Sequence, residues 1–536
     1  MTDKPFDKTE LQVVQRLTNR LMRHQVPNVE KWQYYDEKQA MKNMGIAVPE
    51  SMLNVKAVVG WAAIVVDSMK ERMKWQGFLP TGKDSAVADE LNSLAKINGM
   101  KTEVSTAVLD GLITGIGFLS VTQGDEAAGE PKVIVRAISS LNATFEWSRR
   151  LKRAKRGLVL SVGEDGERVT TLYTLNSTIE ETVWPDGKKE TRRFEHGRNR
   201  CALVPIPSYL LAGVHFGKSE LSKAILYIVD HAVRTMLGME YNREIYTAPH
   251  RYFTNTEPEQ LGFEEADSPW EIAERGYKVS MMRTTVIPPN EEGDKAEPKV
   301  GSFDPAPPTP YIEQMEMLAR QIAARAGLSP TKFGYTTSNP PSADAIRADT
   351  NSHVAKATDR IDFVDEGMRE VAYLMLSILH EQAPSVEQVE SVASDWRDPA
   401  TPTPAAAVDQ AQKLVASGIV PGDSEVLLKM CYFSPDEIAQ IKLDRQRSMS
   451  AQLLEQVREN AALGAAAPAT DSEVESLVNA VEVPSGMSTE DVAKAFDGLG
   501  KAIRSGVDPN SAAEKLGLGG LKFTGLLPVS LKERGE

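Results

Sequence analysis

Cysteine is nearly absent from this chain of 536 residues, which contains only Cys201 and Cys431. Two cysteines cannot build a disulfide-based scaffold or an all-cysteine metal site, and they suit a reducing compartment. Long apolar runs are missing too, since the longest uncharged one, Ala57 to Val66, has ten residues, about half of what a membrane span needs. The N-terminus is polar and partly acidic. We therefore expect a soluble protein with no cleaved leader and no contact with a membrane.

An excess of positive charge is also missing, because 75 acidic residues outnumber 61 basic ones and give a net charge of −14. A protein that grips a nucleic acid backbone usually has a basic surface. Tight, static DNA binding is therefore disfavoured, whereas loose handling of DNA is not. The one dense basic run, Arg149–Arg156, has six positive charges in eight residues. We interpret it as a solvated link between strands that is balanced by acids, with phosphate contact as the alternative.

Catalytic motifs are lacking as well. The segment Gly77–Asp84 has the glycine and lysine spacing of a phosphate-binding loop, but Asp84 occupies the position that must offer a hydroxyl group to Mg²⁺. The segment before it is predicted to be a helix, not a strand. The seven histidines show no zinc-site spacing, and Asp359 and Asp362 are more typical of a solvated helix face than of a metal pair. We expect no enzyme, no cofactor and no metal; an ATPase that uses Lys83 is the less favoured alternative.

The hydrophobic pattern predicts an α+β protein that is predominantly helical. In the first 215 residues, helices are predicted at 9–24, 29–43, 55–75, 86–97 and 102–114. A capping box is predicted at Thr9 and Gln12, and Asn28 is the predicted N-cap of the second helix. Antiparallel strands are predicted at 118–122, 132–138, 143–147, 157–163, 168–175 and 178–184, with turns at Asp165-Gly166 and Asp186-Gly187.

The middle of the chain has two unusually long helical patterns. The first is predicted over 219–246 with Ser219 as its cap, and the second over 342–381 with a bend at Gly367. A shorter helix over 310–326, capped by Thr309 and stopped by Gly327, precedes a loop of turn-forming residues. The segment 253–308 is acidic and contains predicted strands at 278–287 and 299–303. Further helices are predicted after the Pro-rich joint at 398–404, over 405–417, 424–431, 435–463, 471–482 and 489–504.

Several short segments, in this order, resemble portal proteins of tailed bacteriophages, particularly the group found in phages of actinobacteria. In the N-terminal part they are Tyr34-Tyr35-Asp36, Gly45-Ile46, Pro49, Trp61, Val65-Val66-Asp67, Arg72 and Gly77-Phe78. Further along they are Tyr241, Glu244, Ala248-Pro249, Arg251-Tyr252, the run Pro308–Gln314, the run Ser338–Ile346, Trp396–Pro399 and Phe523-Thr524-Gly525. No single segment is decisive; their order and spacing carry the resemblance.

The resemblance implies the head-to-tail connector of a virion and a division into named regions. Residues 1–217 would form the wing, 218–250 and 309–328 the two stem helices, and 251–308 the clip between them. Residues 329–342 would form the tunnel loop and 343–383 the long helix behind it. Residues 384–404 would return through the wing, and 405–536 would form the crown and C-terminal tail.

The resemblance also implies a ring, usually a dodecamer, at one capsid vertex. Terminase would package double-stranded DNA through its channel, from which the genome later leaves. Implied partners are the terminase large subunit, a head-tail adaptor, and the major capsid and scaffolding proteins. The expected residues facing DNA, without reading its sequence, are Lys332, Thr336, Thr337, Ser338, Asn339 and Arg347. The expected acids facing terminase or the adaptor are Glu264, Glu265, Asp267, Glu291, Glu292 and Asp294. A monomeric or small-oligomer α+β scaffold for protein partners is the main alternative.

Overall fold

The computed structural model describes residues 4–39, 57–82, 85–247, 251–256, 268–281, 296–302, 307–335 and 343–400, together with 404–422, 424–431 and short pieces between 433 and 515. The chain divides into two compact units, Met1–Thr401 and Pro402–Glu536. The second unit contains the helices Pro404–Ala416 and Glu425–Met430, close to two of the predicted ones. The helices predicted over 471–482 and 489–504 lie outside the described residues.

The N-terminal part of the first unit combines four helices with nine strands. The helices are α1 (Lys8–Tyr35), α2 (Trp61–Lys70), α3 (Ala86–Ile97) and α4 (Met100–Thr114). The strands are β1 (Trp75–Pro80), β2 (Ile116–Gln123), β3 (Val133–Ile138), β4 (Ala143–Ser148), β5 (Arg153–Val162), β6 (Arg168–Tyr173), β7 (Ser177–Val183), β8 (Lys189–Glu195) and β9 (Leu203–Pro207). The helices predicted at 86–97 and 102–114 and all six predicted strands are confirmed. The helix predicted over 55–75 is wrong at its end, because it stops at Lys70 and β1 follows.

A single helix, α1, replaces the two helices predicted over 9–24 and 29–43. Its capping box consists of Asp7 and Glu10 instead of Thr9 and Gln12. Pro27 lies inside the helix, so the predicted cap at Asn28 is wrong. Contacts on either side of Pro27 hold the helix in place: Gln25 donates to a backbone carbonyl before β4, and Lys31 donates to the last carbonyl of α4.

The described strands of the first unit form four antiparallel sheets. The largest follows the chain in the order β4-β5-β6-β7-β8, and α1 packs on one side of it. A second sheet has the order β3-β2-β9. The basic run Arg149–Arg156 covers the turn between β4 and β5, so the predicted link between strands is confirmed for 149–152, and it continues into the first residues of β5. Glu146 accepts hydrogen bonds from Arg156 at 3.2 Å and from Arg16 at 3.1 Å.

The second half of this unit is mainly helical. In chain order its elements are α5 (Lys223–Thr247), β10 (Arg251–Thr254), α6 (Pro269–Met281), β11 (Lys299–Ser302), α7 (Thr309–Ala326), α8 (Ala343–Leu379), α9 (Val386–Glu390) and β12 (Val392–Trp396). Strand β12 pairs with β1, where Trp396 lies opposite Trp75. The main hydrophobic core joins α2, α3 and α4 to α5, α7 and α8 through residues such as Val66, Leu91, Leu112, Val229, Leu318 and Met368.

Gly367 is a close-contact position in α8, where the sequence analysis expected a bend. A Cβ atom added there would lie 2.6 Å from Ile206 Cδ1 and 3.0 Å from Pro205 O. The missing side chain therefore lets α8 pack directly on the backbone of β9. This contact fixes the second half of α8 against β9.

Candidate functional site

Helices α5 and α7 form an antiparallel pair with a mixed polar and apolar interface. His231 and Gln314 share a hydrogen bond of 2.9 Å between Nε2 atoms. About two turns further along α5, Gly238 faces the ring of Tyr311. An added Cβ at Gly238 would lie 3.0 Å from Tyr311 Cε1. The contact on α7 moves from 314 back to 311 as α5 advances, so the helices run in opposite directions. The two helices predicted over 219–246 and 310–326 thus pack against each other.

The start of α5 is fixed by the end of α4 and by Ser222, whose Oγ accepts a hydrogen bond of 3.4 Å from the backbone N–H of Ile225. Ser219 was the predicted cap, but α5 begins at Lys223. Ser219 Oγ instead donates to the backbone carbonyl of Ile113 at 2.5 Å, and the backbone N–H of Glu220 donates to Leu112 O at 2.9 Å. Helix α5 therefore follows a chain segment that is hydrogen-bonded to the end of α4. At the far end, Thr309 lies within α7, whose N-cap is Pro308, so the predicted cap at Thr309 is wrong by one residue.

The segment between α5 and α7 contains a two-stranded sheet and a helix. Strands β10 and β11 are antiparallel, with Tyr252 opposite Gly301, which confirms most of the strand predicted over 299–303. The strand predicted over 278–287 is wrong as far as Met281, because these residues belong to α6. Ser268 starts that helix through hydrogen bonds to Glu271 at its side-chain and backbone atoms. Residues 282–287 lie outside the described residues, as do Glu264, Glu265, Asp267, Glu291, Glu292 and Asp294.

The base of the predicted tunnel loop is anchored in the core. Gly327 ends α7 in the left-handed region with φ of +73°, as the sequence predicted. A turn of 3₁₀ helix then buries Phe333, whose ring meets that of Trp61 edge-on at 5.8 Å between centroids. Lys332, next to it, is exposed. The chain therefore reaches position 335 from a fixed point, with Lys332 outside the core.

The other end of the loop leads into α8, which three side chains fix in place. His353 Nε2 is 3.1 Å from Ser68 O, Lys356 Nζ donates to Arg325 O at 3.1 Å, and Arg360 Nε donates to Glu220 Oε1 at 2.7 Å. Burial lowers the pKa of His353, which keeps the imidazole neutral near pH 7. These contacts tie α8 to α2, to the end of α7 and to the start of α5.

The structure therefore describes both sides of the loop but not its tip. Thr336, Thr337, Ser338 and Asn339 lie outside the described residues, and Arg347 lies on α8 at a position whose side chain is not described. The sequence pattern does not indicate the roles of Lys356, His353 and the Arg360–Glu220 pair. No local signal could have found them, because each partner is distant along the chain.

Comparison with known proteins gives the family. The family model "Phage portal protein, SPP1 Gp6-like" matches residues 20–451. The chain belongs to this portal protein family. The match spans the N-terminal sheets, helices α5 and α7, the loop between α7 and α8, and α8 itself. The predicted resemblance and the predicted α+β, mainly helical portal fold are thereby confirmed.

Relatives of this chain include portal proteins of phages that infect actinobacteria. The chain is 27% identical over 399 residues to the "Portal protein" of Mycobacterium phage L5, covering 72% of this chain and 78% of the relative. It is 26% identical over 400 residues to the "Portal protein" of Mycobacterium phage D29, with the same coverage of both chains.

Solved structures similar to this portal family member include two phage-like necks. The "Neck of empty GTA particle computed with C6 symmetry" gives a TM-score of 0.41 at 13% identity and covers 73% of this chain and 89% of that one. The "Neck of native GTA particle computed with C12 symmetry" gives 0.37 at 15% identity and covers 74% and 96%. Family membership rests on the sequence match, because TM-scores below 0.5 do not carry it.

The phosphate-binding loop and the metal site considered from the sequence have no supporting geometry among the described residues of this portal family member. Gly77 lies within β1, not in a loop after a strand, and Lys83 and Asp84 lie outside the described residues. Across the part of the chain that the structure describes, no three His, Cys, Asp or Glu side chains are grouped as metal ligands. In that same part, no helix is both long and apolar enough to cross a bilayer.

Proposed function

We propose that copies of this chain close into a ring, usually of twelve, at one capsid vertex, and that double-stranded DNA enters and leaves the head through the central channel. The observation that carries the proposal is the family match over residues 20–451, which includes the whole segment from α5 to α8. A protein with this function is a structural component of the virion and is assembled in the host cytoplasm.

The regions inferred from the resemblance fit the elements that the structure describes. The stem consists of α5 and α7, and the clip lies between them around β10, α6 and β11. The wing comprises residues 1–217 together with the return through α9 and β12, which is supported by the pairing of β12 with β1. The tunnel loop is 329–342, the long helix is α8, and the crown and tail are 405–536.

The proposed channel surface avoids strong attraction to DNA. Each Lys or Arg fixed on a phosphate adds affinity and releases counterions, and in a ring this effect is repeated in every subunit. A protein with a net charge of −14 keeps the duplex away from most of its surface. Thr336, Thr337, Ser338 and Asn339 would contact phosphate or sugar without reading sequence, and Lys332 and Arg347 would form a sparse positive rim.

The clip would contact the packaging motor and later the adaptor. Its acids, Glu264, Glu265, Asp267, Glu291, Glu292 and Asp294, would meet basic surfaces of the terminase large subunit or the head-tail adaptor. Such contacts weaken with salt because exposed charges are screened. We expect a terminase pull-down to decline across a salt series. A pull-down that is unchanged from low to high salt would remove the electrostatic part of the proposal.

Electron microscopy of the purified protein tests the ring directly. We expect negative-stain images with rings around a central hole and a light-scattering mass that is a multiple of the 58.8 kDa subunit. A single species of one subunit mass in every condition would favour the monomeric scaffold instead. Heads assembled without the protein that still fill with DNA would contradict the channel function.

A further inference from the structure

A cavity of about 240 Å³ lies in the wing between the start of β5, strand β9 and the second half of α8. This volume is slightly below the usual range of small-molecule pockets, which begins at about 300 Å³. Much of its wall is apolar or aromatic and comes from Trp147, Leu203, Pro205, Pro207, Phe363 and Tyr373. The cavity belongs to the first compact unit and is separate from the tunnel loop and the clip.

The charged groups in this cavity are unbalanced. Arg200 Nη1 donates to Glu370 Oε2 at 2.7 Å, and the Arg200 guanidinium lies 4.0 Å above the ring of Tyr373. Arg153 faces the same carboxylate and is repelled by Arg200. Burial and this repulsion lower the pKa of Arg153, whereas burial raises the pKa of Glu370 against the attraction of both guanidinium groups. Two cations therefore share one largely buried carboxylate.

Two nitrogen atoms of the cavity residues lack a hydrogen-bond partner. Within the described part of the chain, neither Arg153 Nε nor His215 Nε2 has a partner, and both atoms are closed to solvent. His215 stacks on Trp147 at 4.9 Å between ring centroids. Buried donors without acceptors are rare and costly in proteins. The charge imbalance and the unpaired Arg153 Nε–H donor both point to an acceptor that the chain itself does not supply.

We propose that this cavity binds a carboxylate carried on an apolar body, with Arg153 as its counter-ion and Trp147 and Tyr373 as its walls. A carboxylate accepts two hydrogen bonds from one guanidinium in a planar arrangement. The basic run Arg149–Arg156, which the channel function does not use, thereby acquires a role through Arg153. This inference does not depend on ring formation.

A carboxylate fits better than a phosphate for reasons of charge and surface. Two guanidinium groups and one carboxylate leave a single unbalanced positive charge, which one monoanion neutralises. A phosphate dianion would exceed that charge and would lose more hydration on entering an apolar wall. The charged residues at the mouth of the cavity do not change this net charge. Exposed Arg369 forms an ion pair with Asp365 at 3.4 Å, and exposed Lys152 and Glu366 carry opposite charges.

Calorimetric titration of the full chain at low ionic strength tests the proposal with benzoate, benzamide and inorganic phosphate as probes. We expect saturable binding of benzoate, at least about tenfold weaker binding of the uncharged isostere benzamide, and phosphate weaker than benzoate. N-acetyl-phenylalanine against benzoate distinguishes the carboxyl end of a polypeptide, which would bind more tightly as the former, from a free small acid, which would bind more tightly as the latter. No benzoate binding, equal binding of benzamide, or tighter binding of phosphate would overturn the assignment.

Three variants place the binding in this cavity. Arg153→Gln should weaken benzoate at least about tenfold, and Glu370→Gln should tighten it because the competing carboxylate is gone. Lys155→Gln removes a positive charge from the same strand outside this cavity and should leave binding unchanged. Thermal melts confirm that each variant folds. Opposite effects of the first two variants cannot come from loss of structure, whereas equal affinities of Arg153→Gln and Lys155→Gln would exclude this cavity as the site.

Discussion

Arg360 of α8 and Glu220, three residues ahead of α5, form an ion pair of 2.7 Å whose side chains are only 13% and 12% exposed. The guanidinium also lies 4.4 Å above the ring of Tyr209. The pair therefore joins α8, behind the proposed tunnel loop, to the start of α5, the proposed first stem helix. A movement of one of these elements would break the pair or carry the other element with it.

Replacing Glu220 by Gln should lower the free energy of unfolding by about 3 kcal/mol, because a nearly buried guanidinium would keep its charge without a counter-ion. Denaturant titration at fixed protein concentration measures the change. Arg320→Gln is the matched control, since its ion pair with Glu316 is exposed and should contribute about 0.5 kcal/mol at most. Equal losses in the two variants would show that the Glu220 pair has no special role.

The contact between Gly238 and Tyr311 leads to a prediction for the stem. A valine at 238 would push its Cβ and methyl groups into the Tyr311 ring, where even a Cβ lies at 3.0 Å. We expect Gly238→Val to destabilise the protein by about 1–3 kcal/mol, as overpacking does. Gly276→Val on α6 is the control, because an added Cβ there meets nothing within 4 Å. Loss of stability by the control alone would contradict the close packing of α5 on α7.

The local patterns of the sequence predicted most of the strands and helices, and the misses have physical reasons. Strand β8 is rich in charged residues and lies at a sheet edge, where alternation is weak. Strand β9 contains Pro205 and Pro207, which argue against a central strand but are tolerated at an edge. Strand β1 pairs with β12 across more than 300 residues, and no local pattern encodes such a partner.

The candidate site was predictable only in outline. Turn-forming residues after Gly327 predicted a loop between two helices, and both flanking helices are present. The anchors of that loop depend on distant partners, such as Phe333 on Trp61 and His353 on Ser68. Sequence periodicity reveals which face of a helix is buried, but not which distant residue meets it.

Asp110 should make stability depend on pH in the acid range. Its carboxylate accepts hydrogen bonds from Trp32 and Ser140, which joins α1, α4 and the segment before β4, but burial raises its pKa from 3.8 to about 6. Because the folded state binds this proton more tightly, its contribution to stability is fully present below pH 3.8 and is lost as pH rises through about 6. Asp110→Asn should remove this contribution.

The comparison of wild type with Asp110→Asn isolates this effect from other titrating groups. We expect the stability difference between them to shrink as pH rises from about 4 to about 6, measured by denaturant titration at each pH. Asn should also be less stable, since its NH2 group would face one of the donors that the two carboxyl oxygens of Asp110 now meet. A difference that is constant over this range would show that Asp110 does not titrate there.

Lys332 provides the most direct test of the proposed DNA contact, because its side chain is exposed at the anchored base of the loop. If it meets phosphate, Lys332→Gln should weaken binding of duplex DNA to the assembled ring equally for all sequences. It should also reduce the slope of log affinity against log salt by about 0.9 for each phosphate contact removed. Filter binding across a salt series measures both quantities.

Lys189→Gln is the matched control for this experiment. Lys189 is an exposed lysine at the start of β8, in the five-stranded sheet and far along the chain from the loop. Both variants change the net charge of a subunit by the same amount, so a general electrostatic effect of the ring would alter them alike. If the slope of log affinity against log salt falls more in Lys332→Gln than in Lys189→Gln, the result supports a DNA contact at Lys332. The two variants change the net charge equally, so the difference has to come from a local phosphate contact. Equal slopes in the two variants would move the DNA path away from the base of this loop.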